Sequence, residues 1–316
     1  MIHTEKLTRS FRVGKETVEA VRGVDLDVAP GELVAFLGPN GAGKSTTLKM
    51  LTSLLAPTSG TARVAGLDVL ADPAGVRQRI GYIGQNTGAG LSYRVWDELF
   101  LQGRFYGLSR SEATDRGREL VSSLALDGME LRKVSSLSGG QKRRLDIALG
   151  LIHSPELLFL DEPSTGMDPQ NRANLWEHII RLREQHGTTI VLTTHYLEEA
   201  DTMSERVVVI DHGRIIADDT AARLKAKQAG DRITFTVWPA DVPRAREVAE
   251  RAGEVTGDVS GTVTLRAESG DRVLPGLLSA LANQQVAVQA ATLHQPTLDD
   301  VFLSLTGRSL REGVDA

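Results

Sequence analysis

"ELVAFLGPNGAGKSTTLKMLTSLL", Glu32 to Leu55, runs from an apolar strand through a glycine-rich loop into a helix. The apolar part is short and ends at a glycine, as expected of a buried strand rather than a helix. The loop comprises Gly38, Pro39, Asn40, Gly41, Ala42, Gly43, Lys44, Ser45 and Thr46. It fits G-x-x-x-x-G-K-[ST], in which backbone N–H groups wrap phosphates, the lysine supplies a point charge at the β/γ end and the serine reaches Mg²⁺. The helix that follows points its positive end at the same anion. The alternative, a plain glycine turn before a helix, is disfavoured by this placement between strand and helix.

Downstream, "ARVAGLDV" and "RIGYIGQ" are strand candidates, followed from about Asp97 to Ala148 by a helical pattern rich in Leu, Arg and Glu. Then come "ELLFLDEP", a helix through "NRANLWEHIIRLREQ", the strand "TTIVLTTH" and a hairpin in "RVVVIDHGRIIA". Near-continuous apolar strands separated by helices imply an α/β fold, with a parallel sheet covered on both faces. The helical stretch interrupts that alternation as an inserted subdomain, about residues 90–150. Residues 1–220 are expected to form the main domain, 221–231 a linker helix and 232–316 a small α+β domain built on "RITFTVW", "GTVTLRA" and "VAVQAATL".

Parallel sheets deliver chemistry at the carboxyl ends of their strands. "LLFLDEP" ends in Asp161, suited to a water-mediated Mg²⁺ contact, and Glu162, suited to polarising a water for attack on the γ-phosphate. A pair of solvated carboxylates is the plainer reading, and the upstream loop argues against it. His195 and Gln85 close two further strands and are candidates because each could reach the phosphates from there.

Bulk composition narrows the class. Of 316 residues, 41% are hydrophobic and 24% charged, ordinary globular usage, so a sizeable core is expected. The net charge of −5 gives no reason to expect nucleic acid as a partner. There is no cysteine, which excludes disulfides, thiolate metal sites and a cysteine nucleophile. The opening "MIHTEKLTRSF" lacks the apolar core expected of a signal peptide, and no apolar run approaches the length of a membrane span.

A second glycine cluster lies in "LSGGQKRRLDIALG", Leu137 to Gly150. Ser138 and Gln141 have capping-box spacing. Capping does not account for Gly139 and Gly140, which weaken a helix start. Glycine is useful where a ligand approaches the backbone closely, so this turn reads as a second phosphate cradle. A two-fold pair of chains, each closing its "LSGG" turn on the other's loop-bound ATP, uses every group twice.

In this order, "GPNGAGKST", Gln85, "LSGGQ", "LLFLDEP", "STGMDP" and His195 resemble the ATP-binding cassette (ABC) ATPases over about residues 2–220. The resemblance implies a P-loop nucleotide-binding domain with Glu162 as catalytic carboxylate, His195 on the γ-phosphate, and Ser45 and Gln85 near Mg²⁺. It places Ser138, Gly139, Gly140 and Gln141 on the partner's ATP, Asp168 in the loop between the two sites, and Phe11 against adenine. It implies ATP and Mg²⁺ as cofactors, a head-to-tail dimer and a location at the cytoplasmic face of the membrane, held by a separate permease. Translation- and DNA-repair-type members are the alternative. The single cassette, and only about 90 residues between loop and signature, argue against them.

The tail "HQPTLDDVFLSLTGR" reads as a capped amphipathic helix, Thr297 to Gly307, packing its own domain. Its wording, with "GRFYGLSR", is similar to the daunorubicin-resistance type of bacterial ATPases, which export drugs, antibiotics or lipids. "GAGLSYRVWDEL" departs from that pattern beside the surface such ATPases present to the permease.

Overall fold

The structure, a computed structural model, describes residues 1–228 and 230–309. One position of the expected linker, 229, and the expected domain's end, 310–316, lie outside the described residues. Contacts divide the chain into a unit Met1–Asp218 and a second beginning at Asp219.

The first unit opens with β1 (Ile2–Val13) and β2 (Glu16–Val28), paired antiparallel. Then follow β3 (Leu33–Leu37), α1 (Lys44–Leu51), β4 (Ser59–Val64), β5 (Leu67–Asp68), α2 (Pro73–Arg79) and β6 (Ile80–Ile83). The helical stretch resolves into α3 (Val95–Phe105), α4 (Arg110–Ser123) and α5 (Gly139–Leu151), with α3 packing on both others. Next are β7 (Leu157–Asp161), α6 (Pro169–His186), β8 (Thr189–Thr194), α7 (Leu197–Met203), β9 (Arg206–Asp211) and β10 (Arg214–Asp219).

Two sheets result. One has the order β10-β9-β3-β8-β7-β6, and its β9-β3-β8-β7-β6 core is parallel. Every residue of β3, β7 and β8 is buried, which is why these strands read as near-continuous apolar runs. The other sheet, β2-β1-β4-β5, is antiparallel. The stretch "ARVAGLDV", expected as one strand, belongs to this sheet and is divided between β4 and β5. Ala65 and Gly66 both have positive φ, so the chain reverses there and β4 pairs with β5 instead of crossing over. Core side chains from both sheets and α1, among them Leu7, Phe36, Leu48, Met50 and Phe159, form one cluster. Each buried side chain of this size contributes about 1.5–3 kcal/mol.

The second unit holds α8 (Ala221–Gln228), β11 (Asp231–Val237), α9 (Val242–Ala252), β12 (Glu254–Val259), β13 (Thr262–Ala267), α10 (Gly270–Asn283), β14 (Val288–His294) and α11 (Leu298–Thr306). Its antiparallel sheet, β12-β13-β11-β14, packs Ile233, Phe235, Val263 and Leu265 against Ala245, Ala249, Leu277 and Leu281 of α9 and α10. The tail helix is capped as its spacing predicts. Thr297 and Asp300 form a capping box, and Gly307 closes the helix at φ 75°. The expected linker helix α8 packs on α11 within this unit.

Candidate nucleotide-binding and hydrolysis site

The loop at the end of β3 is glycine-rich because its own fold demands it. A Cβ on Gly38 would stand 2.1 Å from the Ile210 carbonyl oxygen. Gly43 has φ 104°, and a Cβ there would stand 2.5 Å from the Ala20 oxygen. Lys44, at the start of α1, is only 4% exposed and donates from Nζ to the carbonyls of Gly38 (2.7 Å) and Pro39 (3.0 Å). Burial pushes its amine below the ordinary lysine value, and the nearby Glu162 and Asp161 carboxylates oppose that shift.

The end of β7 meets this loop. Asp161 Oδ1 accepts 2.7 Å hydrogen bonds from Ser45 Oγ and from Thr193 Oγ1. Thr193 Oγ1 also accepts from the Glu162 N–H at 3.0 Å. Thr193 therefore fastens the ends of β7 and β8 together. Tyr82, against Asp161, has its phenol pushed up to about 12, mainly by burial. Glu162 lies just past β7 with φ 48°. The turn, rather than strand alternation, thus sets the direction of its carboxylate. Glu162 Oε2 stands 3.5 Å from His195 Nδ1 and accepts from Thr165 Oγ1 at 3.2 Å. The His195 contact, helped by Lys44 and Thr165, holds the Glu162 carboxyl below its usual range despite partial burial.

Ser138 caps α5 as its spacing predicts. Gln141 N–H donates to Ser138 Oγ, and Ser138 N–H donates to Gln141 Oε1. The two glycines differ. A Cβ on Gly140 would press on Asn171 Oδ1 at 3.2 Å, so packing accounts for it. A Cβ on Gly139 would meet nothing within 4 Å, and its φ is not positive. Among the described residues no steric or torsional demand explains Gly139.

A cavity of about 360 Å³ gathers Ser138, Gly139 and Gly140 with Gln85, Glu162 and Asp168. No residue of the loop Gly38–Thr46 lines it. Asp168 caps α6 through Asn171 N–H at 2.9 Å, with Pro169 opening the helix. Phe11 is half-buried on β1, and the Arg9 guanidinium lies 4.6 Å from its ring centre.

Sequence reading passed over Arg143 and Asp146. Buried Arg143 donates to the carbonyls of Pro163, Gly84 and Asp161, tying α5 to the ends of β6 and β7. Buried Asp146 accepts from the Gly88 N–H at 2.9 Å and holds the loop after Gln85 against the same helix. In the sequence Arg143 was only part of a short basic run; its carbonyl partners lie up to 59 residues away.

Comparison with known proteins gives the family. Residues 21–165 match the family "ABC transporter", and residues 220–306 match "ATP-binding protein DrrA1-3-like, C-terminal domain". The daunorubicin/doxorubicin resistance ATP-binding protein DrrA of Streptomyces peucetius is 41% identical, over 91% of this chain and 88% of its own. The linearmycin resistance ATP-binding protein LnrL of Bacillus subtilis is 33% identical, over 99% and 100%. A dimeric post-hydrolysis structure of the ATP-binding cassette MJ0796, bound to ADP and Pi, is 25% identical with a TM-score of 0.65, over 70% of this chain and 98% of that one. The class is thus an ATP-hydrolysing ABC cassette. Within it, the chain belongs to the ABC transporter ATP-binding proteins of the DrrA type, the ATPase subunits of exporters.

Proposed function

We propose that two copies of this chain close head-to-tail on two ATP molecules and, through that cycle, drive a separate permease that exports drug- or antibiotic-like compounds. Gly139 carries the proposal: a helix N-terminus without a side chain, with open space before it and no demand from its own fold. The cavity it lines contains no residue of its own P-loop, although Gln85 and Glu162 also line it. The dimeric MJ0796 cassette offers a precedent for the pairing.

In this reading the backbone from Gly38 to Thr46 and the Lys44 amine bind the triphosphate. Ser45 and Asp161 present a hydroxyl and a carboxylate at one point, a donor set suited to Mg²⁺, which keeps several waters and takes one or two carboxylates plus phosphate oxygens. Gln85 completes that side. The ion would neutralise charge on the phosphates. Glu162, ionised at neutral pH, orients the attacking water, and His195 contacts the γ-phosphate. Phe11 meets the adenine.

Among the described residues no helix is long and apolar enough to cross a membrane, so export needs a membrane partner, and the chain would sit peripherally on it. Leu91, Tyr93, Leu101, Phe105 and Leu131 are exposed on and beside α3, and they suit docking to an apolar-rich partner. The test is Glu162→Gln in size-exclusion chromatography. It should elute as a dimer with ATP and as a monomer with ADP; a monomer under both conditions contradicts the proposal.

A further inference from the structure

Glu199, in α7, is 2% exposed, yet its carboxylate is neither solvated nor part of the cavity beside Glu162. Oε2 accepts from Thr194 Oγ1 at 2.7 Å, and Oε1 accepts from Ser164 Oγ. Thr194 Oγ1 in turn accepts from the Tyr196 N–H at 2.9 Å. The carboxylate therefore grips the chain on both sides of His195 and, two residues beyond Glu162, the loop that follows β7. Arg172 supplies the countercharge. Its Nε is 3.8 Å from Glu199 Oε1, and its guanidinium lies 4.1 Å from the Tyr196 ring centre. Arg172 Nη2 also reaches the Met167 carbonyl at 3.5 Å, in the loop that ends at Asp168.

Burying a carboxylate is costly, and apolar residues usually stabilise a core better. A buried ionic group with both oxygens satisfied does specify one arrangement of the segments it joins. Here those segments carry Glu162 and His195. We propose that Glu199 is a positioning residue for ATP hydrolysis, holding the Glu162 carboxylate and the His195 ring in register through Ser164 and Thr194. The inference rests on the roles proposed above for Glu162 and His195. Arg172 extends the same network to the loop that ends at Asp168.

The test compares steady-state ATPase and equilibrium ATP binding for the full chain carrying Glu199→Gln, Ser164→Ala, Thr194→Val or Glu162→Gln. An amide at 199 cannot accept from both hydroxyls. Glu199→Gln should lower kcat about tenfold, while KM and ATP affinity stay within about twofold of wild type. Ser164→Ala should lower kcat in the same direction, and should add little in the Glu199→Gln background. If Glu199→Gln melts early, Ser164→Ala and Thr194→Val carry the test. Wild-type kcat in these variants, with Glu162→Gln inactive, overturns the inference and leaves the role of Glu162 standing. A fall in kcat matched by an equal loss of ATP affinity also overturns it, because that marks general loosening. Wild-type hydrolysis by Glu162→Gln would instead remove the underlying reading.

Discussion

The two glycine-rich turns of the first unit look alike in sequence and differ in what requires their glycines. In the P-loop, Gly38 and Gly43 answer to the chain's own backbone, at Ile210 and Ala20. In the signature turn, Gly140 answers to Asn171, but Gly139 answers to nothing among the described residues. A glycine demanded from inside reports on folding. One with no inside demand reports on something that arrives from outside.

That contrast can be broken by substitution. Lys44→Ala should have the largest effect, reducing ATP binding below detection in an equilibrium assay; affinity near wild type would remove the P-loop from the account. Next, Glu162→Gln should slow hydrolysis by about a hundredfold or more while ATP binding persists. Gly38→Ala and Gly43→Ala should each destabilise the first unit by about 1–3 kcal/mol, read as a lower denaturant midpoint. Gly139→Ala should do the reverse for stability. It should gain up to about 0.5 kcal/mol from helix propensity, yet lose ATPase activity. If Gly139→Ala is both more stable and fully active, the outside demand is absent.

The smallest effect is in pH dependence. Lys44 is charged only below its pKa, which burial holds under the ordinary 10.5. Affinity of the free protein for ATP should therefore decline as pH rises through that lowered value. A binding titration on the alkaline side that stays flat to 10.5 would contradict the burial argument.

How far the sequence spoke followed from burial. Strands β3, β7 and β8 were legible because both faces are covered and, apart from Asp161 at the end of β7, every position is apolar or threonine. Strands β1 and β2 were not, because their outer halves are solvated and bulges near Thr4–Thr8 and Arg9–Ser10 break the alternation. Strand β12 escaped notice for the same reason, with five of its six residues exposed. In the site, Lys44, Asp161 and Glu162 were legible because spacing along the chain sets the chemistry of each. Thr193, Arg143 and Glu199 were not. Each acts through partners on other segments, and nothing local distinguishes a buried glutamate in "YLEEA" from a surface one.

The central claim, that the signature turn serves the partner's nucleotide, is tested most directly by mixing two inactive chains. One carries Lys44→Ala and the other Ser138→Arg. If the turn acts across the dimer, each mixed pair rebuilds one intact site, and an equal mixture should recover up to about a quarter of wild-type ATPase activity. If each chain's turn serves its own P-loop, every site retains a defect, and the mixture stays as inactive as its parents.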